Sequence, residues 1–140
     1  MIYNSTYKND ELDNECEKIV GKKYNIIDSI LLNGIGSKRL IVKKYSKNFI
    51  EIIEKKIDLI YSNIELRKKG IIVYIATGQK RYSWVIPYYK LVLFKTPNYT
   101  IHCDEDFITF SNEMNYKENI IFFKKLIDHK IKFDQHNNSI

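Results

Sequence analysis

The sequence is poor in the residue types that build cross-links, metal sites and tight catalytic loops. Its 140 residues include two cysteines, three histidines, five glycines, two prolines and one tryptophan. Cys16 and Cys103 lie far apart, and the polar N-terminus lacks the apolar segment of a secretory signal, so we expect reduced thiols rather than a disulfide. No window approaches the ~18 uninterrupted apolar residues of a membrane-spanning helix. These absences predict a cytoplasmic protein without a transmembrane segment.

Arginine is also scarce, and this limits what the positive charge implies. Only three of the 23 basic residues are arginine, and the formal net charge is +6. Arginine is the usual choice for bidentate recognition of phosphates and bases. A lysine excess alongside many Ile, Asn and Tyr residues is typical of an AT-rich coding sequence. The charge alone therefore does not indicate nucleic-acid binding. The hydrophobic content of 44% is enough for one domain with a real core.

The densest group of metal-ligand residue types, residues 102–106, has a pattern that does not suit a metal site. Neighbouring residues of a strand point to opposite faces, so His102 and Cys103 cannot share one ion. Cys103 shares a face with Tyr99 and Ile101, which indicates a core position rather than a nucleophile. The two glycines in residues 33–37 lack the flanking order of a phosphate-binding loop. We predict no catalytic residue, no metal site and no cofactor.

The first 58 residues are predicted to be a loose polar leader (residues 1–13) and a mainly helical segment (residues 14–58). Apolar spacing predicts a helix at residues 11–20 that ends at Gly21. A third helix is predicted at residues 46–58, whereas residues 38–45 fit either a strand or a helix. Between the first and the third helix, a second helix is predicted to bury four aliphatic side chains: Ile26, Ile27, Ile30 and Leu31.

Residues 59–133 are predicted to form an antiparallel meander of five or six strands that is closed by a helix. Branched and aromatic runs between residues 64 and 111 alternate with turn signals. After a capping signal at Asn115, an apolar stripe predicts an amphipathic helix that covers the sheet. The stripe consists of Ile120, Phe123, Ile127 and Ile131, widened by Phe122 and Leu126. Residues 134–140 are predicted to be a polar tail, and the fold class is α+β.

Two segments of the meander resemble the bacterial pleckstrin-homology-like (PH-like) and GRAM-type domains. Residues 82–88 (YSWVIPY) with the following Leu91 are similar to the strand of those domains in which Ile-Pro-Tyr leads into a leucine. Residues 63–66 and 70–73 are similar to the preceding hairpin. The resemblance covers roughly residues 60–132. It implies a strongly bent sheet of up to seven strands with the helix plugging one end, and a non-enzymatic binder of lipid headgroups, peptides or other proteins.

Two basic turns and two neighbouring aromatic residues are the candidate ligand-binding residues. If both turns lay at one end of the sheet, they would form a basic rim that attracts a phosphorylated headgroup or an acidic partner. Successive turns of a simple meander lie at opposite ends, so solvated turns and core aromatic residues are the alternative. The candidates are Arg67, Lys68, Lys69, Lys80, Arg81, Tyr82 and Trp84.

The leading hypothesis is a non-enzymatic binding module that recognises a protein partner or an anionic headgroup through its loops. The alternative is a structural or inhibitory interaction protein of the antitoxin or immunity type, which would carry a flat, exposed, aromatic-rich patch. Nucleic-acid binding is favoured less, because it requires the lysines to gather on one face with stacked tyrosines. The sequence does not set the oligomeric state.

Overall fold

A computed structural model describes residues 1–53 and 59–138, and within them the chain is an α+β fold. Eight antiparallel strands form one open sheet: β1 (Ile2–Asn4), β2 (Leu40–Tyr45), β3 (Tyr61–Leu66), β4 (Gly70–Thr77), β5 (Lys80–Pro87), β6 (Val92–Phe94), β7 (Thr100–Cys103) and β8 (Asp106–Phe110). Their order is β1-β5-β4-β3-β2-β8-β7-β6. The described residues also form four helices: α1 (Asp10–Val20), α2 (Ile26–Leu31), α3 (Lys47–Ile50) and α4 (Tyr116–Asn138).

The sheet has eight strands rather than five to seven because the first third of the chain contributes two of them. Ile2–Asn4, which were expected in a loose leader, pair with β5 in register Ile2↔Trp84. Residues 38–45, left open between strand and helix, contain β2. Its first residues pair with β3 and its last with β8, with a register shift between Val42 and Lys44. This irregularity lets one strand join the two halves of the sheet.

The predicted strands and turns of residues 64–111 are confirmed, but they do not form one continuous meander. They form two, β3–β4–β5 and β6–β7–β8, which lie on either side of β2, so β5 and β6 are not neighbours. The turn between β4 and β5 contains Gly78 at φ +61°, and the turn between β7 and β8 contains Asp104 at φ +55°. Glycine and aspartate tolerate this left-handed conformation better than most residues, which is why they mark the turns in the sequence. Thr96–Pro97, with a cis peptide bond, lies between β6 and β7.

The first predicted helix is also confirmed, since α1 spans Asp10–Val20. The side chain of Asn9 accepts a hydrogen bond from the Leu12 amide at 3.2 Å, which caps the helix start. Gly21, at φ +91°, ends the helix and donates its amide to the Glu17 carbonyl. Cys16 and Val20 are buried against β4 and β5, so α1 covers part of the outer face of the sheet.

The predicted helix at residues 46–58 is much shorter in its described part, and residues 54–58 lie outside the described residues. The helix spans Lys47–Ile50, and Phe49 is fully buried against Trp84, with ring centroids 5.1 Å apart. Ser46 does not cap it with its side chain. Its hydroxyl instead donates to Asp106 Oδ1 at 2.9 Å and accepts the Phe107 amide, which attaches this segment to β8.

The closing helix α4 lies on the inner face of the sheet, but its buried stripe is displaced from the predicted one. Phe122, Phe123 and Leu126 are buried as predicted, whereas Ile131 is 48% exposed. The stripe continues instead through Phe133, whose ring packs against Tyr88 with centroids 5.5 Å apart. The turn Tyr88–Lys90 after β5 therefore determines which side of the C-terminal half of α4 faces inwards.

The second predicted helix exists as α2, but the prediction that its apolar face is buried is wrong. Ile26, Ile27, Ile30 and Leu31 are 80, 70, 68 and 74% exposed. The polar residues Asp28 and Ser29 are the ones partly covered. The spacing correctly placed the aliphatic side chains on one face, and the tertiary structure turns that face outwards.

Candidate functional site

The two predicted basic turns do not form one rim. Gly70 pairs with Pro87 at one end of β4, and Thr77 pairs with Lys80 at the other. A strand of eight residues separates the ends by roughly 24 Å at ~3.4 Å per residue. Lys68 and Lys69 therefore lie on the opposite side of the molecule from Lys80 and Arg81, as expected for a simple meander.

Arg67 is separated from the other turn residues by its burial. Its Nε and Nη2 donate to Glu65 Oε2 at 3.3 and 3.2 Å, and its Nη1 donates to the Gly21 carbonyl at 2.8 Å. Tyr74 donates its hydroxyl to the same Glu65 oxygen at 2.7 Å, and burial together with this bond raises the pKa of Tyr74. Lys23 lies 3.6 Å from the other carboxylate oxygen. This network stabilises the packing of the segment after α1, so we assign Arg67 a structural role.

The two predicted aromatic residues belong to the core. Trp84 is 1% exposed and packs on Phe49, and Tyr82 is 9% exposed. Both lie on the inner face of β5, with Ile86. A ligand cannot reach the ring of Trp84 without opening the core.

Lys68 lines a cleft between the β3–β4 turn and the C-terminal half of α4. The cleft has a volume of about 360 Å³. Its basic side chains are Lys68, His129, Lys132 and His136, and its walls are Leu32, Tyr88 and Phe133. We call this the basic cleft.

The wall of the basic cleft is fixed by hydrogen bonds. The Tyr88 hydroxyl donates to the Arg67 carbonyl at 2.9 Å, and Lys130 Nζ donates to the Tyr88 carbonyl at 2.8 Å. Lys130 is also paired with Asp134 at 2.9 Å. The turn that carries Lys68 and the helix that carries His129 are thus tied to the same residue, Tyr88. This arrangement holds the two sides of the cleft together.

The basic cleft is lined by basic and apolar side chains, and the basic groups influence one another. Burial, followed by the nearby charges of Lys132 and Lys125, lowers the pKa of His129, and Asp128 opposes this only in part. Among the described residues that line the cleft, none is acidic. A bound anion would relieve the repulsion between these groups.

Sequence reasoning missed the contribution of α4 to this site. His129, Lys132 and His136 are three and four residues apart, which places them on one side of a helix. The spacing is present in the sequence, but it indicates a site only once this side of α4 is known to face Lys68.

A second concave surface, on the outer face of the sheet beyond α1, has a volume of about 720 Å³. Its lining includes Arg39, Tyr61, Asn63, Tyr74 and Arg81, and we call it the tyrosine–arginine groove. The Arg39 guanidinium lies 4.7 Å from the centre of the Tyr61 ring, a cation–π contact. The Arg81 guanidinium donates to the carbonyls of Gly78 and Lys80.

The thiols do not add chemistry to either surface. Cys16 and Cys103 are both buried, and burial raises the pKa of each thiol, which disfavours the reactive thiolate. Within residues 1–53 and 59–138, no group of three or more His, Cys, Asp or Glu side chains is arranged to hold a metal ion. The same residues contain no helix with the length and apolarity needed to cross a membrane.

Comparison with protein-family models, curated proteins and solved structures found no match.

Proposed function

We propose that this chain is a non-enzymatic binding module of PH-like fold that recognises an anionic, phosphorylated group in the basic cleft. The observation that carries the proposal is the convergence of Lys68 with three basic residues of α4. The strands β2 to β8 followed by α4 support the PH-like assignment, since they supply seven strands and a closing helix. β1 and α1 are then additions on the outer face.

The chemistry of the cleft favours a phosphate over a hydrophobic or cationic ligand. Two ammonium groups and two imidazoles can each donate a charge-assisted hydrogen bond to phosphate oxygens. Leu32, Tyr88 and Phe133 form an apolar wall that reduces competition from water. The low arginine content is compatible with this site, because lysine binds phosphate as a point charge.

Charge reversal in the cleft should abolish most of this binding. We expect the double variant Lys68→Glu Lys132→Glu to bind a soluble inositol phosphate at least about tenfold more weakly, because two charge-assisted contacts become repulsive. Both side chains are exposed, so the fold should be retained. Isothermal titration calorimetry measures the affinity, and circular dichroism checks the fold.

The matched control makes the same change of charge in the tyrosine–arginine groove. Arg39→Glu Arg81→Glu should leave the affinity for the inositol phosphate within about twofold, since surface charges outside the site act mainly through screened long-range attraction. If the cleft variant bound normally and the groove variant did not, the proposed site would be wrong.

A protein partner at the tyrosine–arginine groove is the second candidate function. Tyrosine and arginine are enriched at protein interfaces, whereas lysine is depleted. The groove contains two of the three arginines of the chain, together with Tyr61 and Tyr74. This composition corresponds to the aromatic patch expected for a structural or inhibitory interaction protein.

Binding in the basic cleft should strengthen as the pH falls. The pKa of His129 lies below its usual 6.5, so the imidazole is largely neutral at pH 7 and gains its charge on acidification. The charges of Lys132 and Lys125 disfavour the protonated imidazole, and Asp128 favours it. Lys68 and His136 face the same cleft from the β3–β4 turn and from α4, and a bound anion adds an attraction. From about pH 7.5 to about pH 5.5 we expect the affinity for a sulfonate probe, whose own charge is constant, to rise about fivefold.

The variant His129→Gln should reduce this pH dependence while leaving the affinity at about pH 7.5 nearly unchanged. An unchanged slope in His129→Gln would show that His129 does not contribute to anion binding.

A further inference from the structure

The helix α2 turns its apolar side to solvent and its polar side to the protein. Its four aliphatic side chains are 68–80% exposed, while Asp28 and Ser29 on the opposite side are partly covered. A surface helix normally turns its apolar stripe to the core. Contiguous exposed apolar groups of this kind mark an interaction site.

α2 is capped at its start by a local hydrogen bond and is attached to α4 just after its end. At its start, the Asn25 side chain accepts the Asp28 amide at 2.8 Å. At its end, the Gly34 amide donates to the Ser29 carbonyl, and Lys125 Nζ donates to the carbonyls of Asn33 and Gly34 at 3.1 Å each. α4 therefore holds the segment that follows α2, and the apolar face points away from a fixed base.

The apolar face adjoins the basic cleft. Leu32, the residue that ends α2, forms part of the cleft wall beside Lys68 and His129. On the other side of α2, Lys22 and Lys23 precede its start and are exposed, and Lys23 also pairs with Glu65 at 3.6 Å. Exposed lysines thus lie on both sides of a short aliphatic helix.

We propose that α2 inserts its aliphatic face into the interfacial layer of an anionic membrane while the basic cleft holds a lipid headgroup. This inference rests on the proposed function and names the source of the phosphorylated group as a lipid. Interfacial helices lie in the plane of the membrane surface with their apolar face buried to a depth of roughly 5–10 Å. The side chains that enter the membrane are Ile26, Ile27, Ile30 and Leu31.

The composition of the patch distinguishes a membrane from a protein partner. Protein interfaces are enriched in aromatic residues and arginine and depleted in lysine. This patch has the opposite composition, with isoleucine and leucine on α2 and lysine around it. Lysines close to an anionic leaflet each increase partitioning about fivefold, and buried aliphatic side chains add the hydrophobic contribution.

The test is co-sedimentation with phosphatidylcholine vesicles and with vesicles that also contain about 30% phosphatidylserine and a few per cent phosphoinositide. We expect the wild-type chain to bind only the anionic vesicles. The variant Ile26→Gln Ile30→Gln should bind them about tenfold to a hundredfold more weakly, because two aliphatic side chains no longer enter the interface. Both residues are exposed, so the variant should fold normally.

The matched control replaces two exposed isoleucines elsewhere, Ile50 and Ile121, by glutamine. Its vesicle binding should equal that of the wild type. The affinity for soluble inositol phosphate is measured in parallel and should be the same in wild type, α2 variant and control. Reduced vesicle binding with unchanged headgroup affinity, seen only in the α2 variant, supports the insertion.

The other outcomes separate the two proposals. If the soluble headgroup binds but the α2 variant sediments as well as the wild type, insertion is wrong and the proposed function stands. If vesicles bind through α2 but the soluble headgroup does not, headgroup recognition is wrong. If neither probe binds, or if α2 is instead required for a dimer seen by light scattering, membrane insertion is overturned.

Discussion

Replacing Arg67 by alanine should lower the free energy of unfolding by about 3–5 kcal/mol. The side chains of Arg67 and Glu65 are only 10 and 11% exposed, so the variant leaves a buried carboxylate without its main partner. Lys23 at 3.6 Å and the Tyr74 hydroxyl remain, but the guanidinium also loses its bond to the Gly21 carbonyl at the end of α1. Urea unfolding should show a lower midpoint with an unchanged slope.

The control for this experiment is Arg81→Ala. Arg81 is exposed and its guanidinium donates to two neighbouring carbonyls, so its loss should cost less than about 0.5 kcal/mol. Equal losses for the two arginine variants would contradict a stabilising buried pair. The double variant Glu65→Leu Arg67→Met should recover most of the stability, because it removes both charges instead of leaving one unpaired.

The different roles of Arg67 and Lys68 show what charge runs can and cannot predict. Successive side chains of a strand point to opposite faces. Arg67 therefore lies on the same face as Glu65, two residues earlier, and bonds to it, whereas the side chain of Lys68 lines the basic cleft. The pairing with Glu65 was therefore available from the spacing. The cleft was not, because it required knowing that α4 lies beside this turn.

Local signals predicted the central part of the fold correctly. The meander β3–β4–β5 and its turns depend on residues close in the chain, such as the glycines at positions 70 and 78. β1 was missed, and β2 was left open between strand and helix, because their partners are distant: Ile2 pairs with Trp84 and Val42 pairs with Phe110. A short strand without a neighbouring partner has no hairpin signal in the sequence.

Periodicity also predicted which residues share one face of a helix, but not whether that face points to the core or to solvent. In α2, the spacing placed four aliphatic residues together, but the contacts of Lys125 with residues 33 and 34 decide that they face outwards. In α4, the contact between the rings of Phe133 and Tyr88 turns Phe133 inwards and leaves the predicted stripe residue Ile131 exposed. Burial depends on what packs opposite a face, and helical spacing does not identify which distant residues of the chain do so.

Gly70→Ala should be strongly destabilising although it adds only one methyl group. A Cβ at this position would lie 2.2 Å from the Ile86 carbonyl oxygen and 2.8 Å from Pro87 Cα, both backbone atoms, and 2.7 Å from Val20 Cγ1. The strand pair β4–β5 and α1 must separate to admit it, and we expect a loss of about 3 kcal/mol or more. Differential scanning calorimetry measures the effect as a lower Tm.

Gly36→Ala is the matched control for Gly70→Ala. Its Cβ would meet only the Ile64 carbonyl oxygen, at an ordinary 3.9 Å, so the change in stability should stay within about 0.5 kcal/mol. The Gly70 variant should also bind the inositol phosphate more weakly, because Lys68 lies in the turn that Gly70 ends, and the Lys69 amide is bonded to the Val20 carbonyl. Similar melting temperatures for the two alanine variants would contradict the close approach of α1 and β5 at Gly70, and with it the fixed position of Lys68 in the basic cleft.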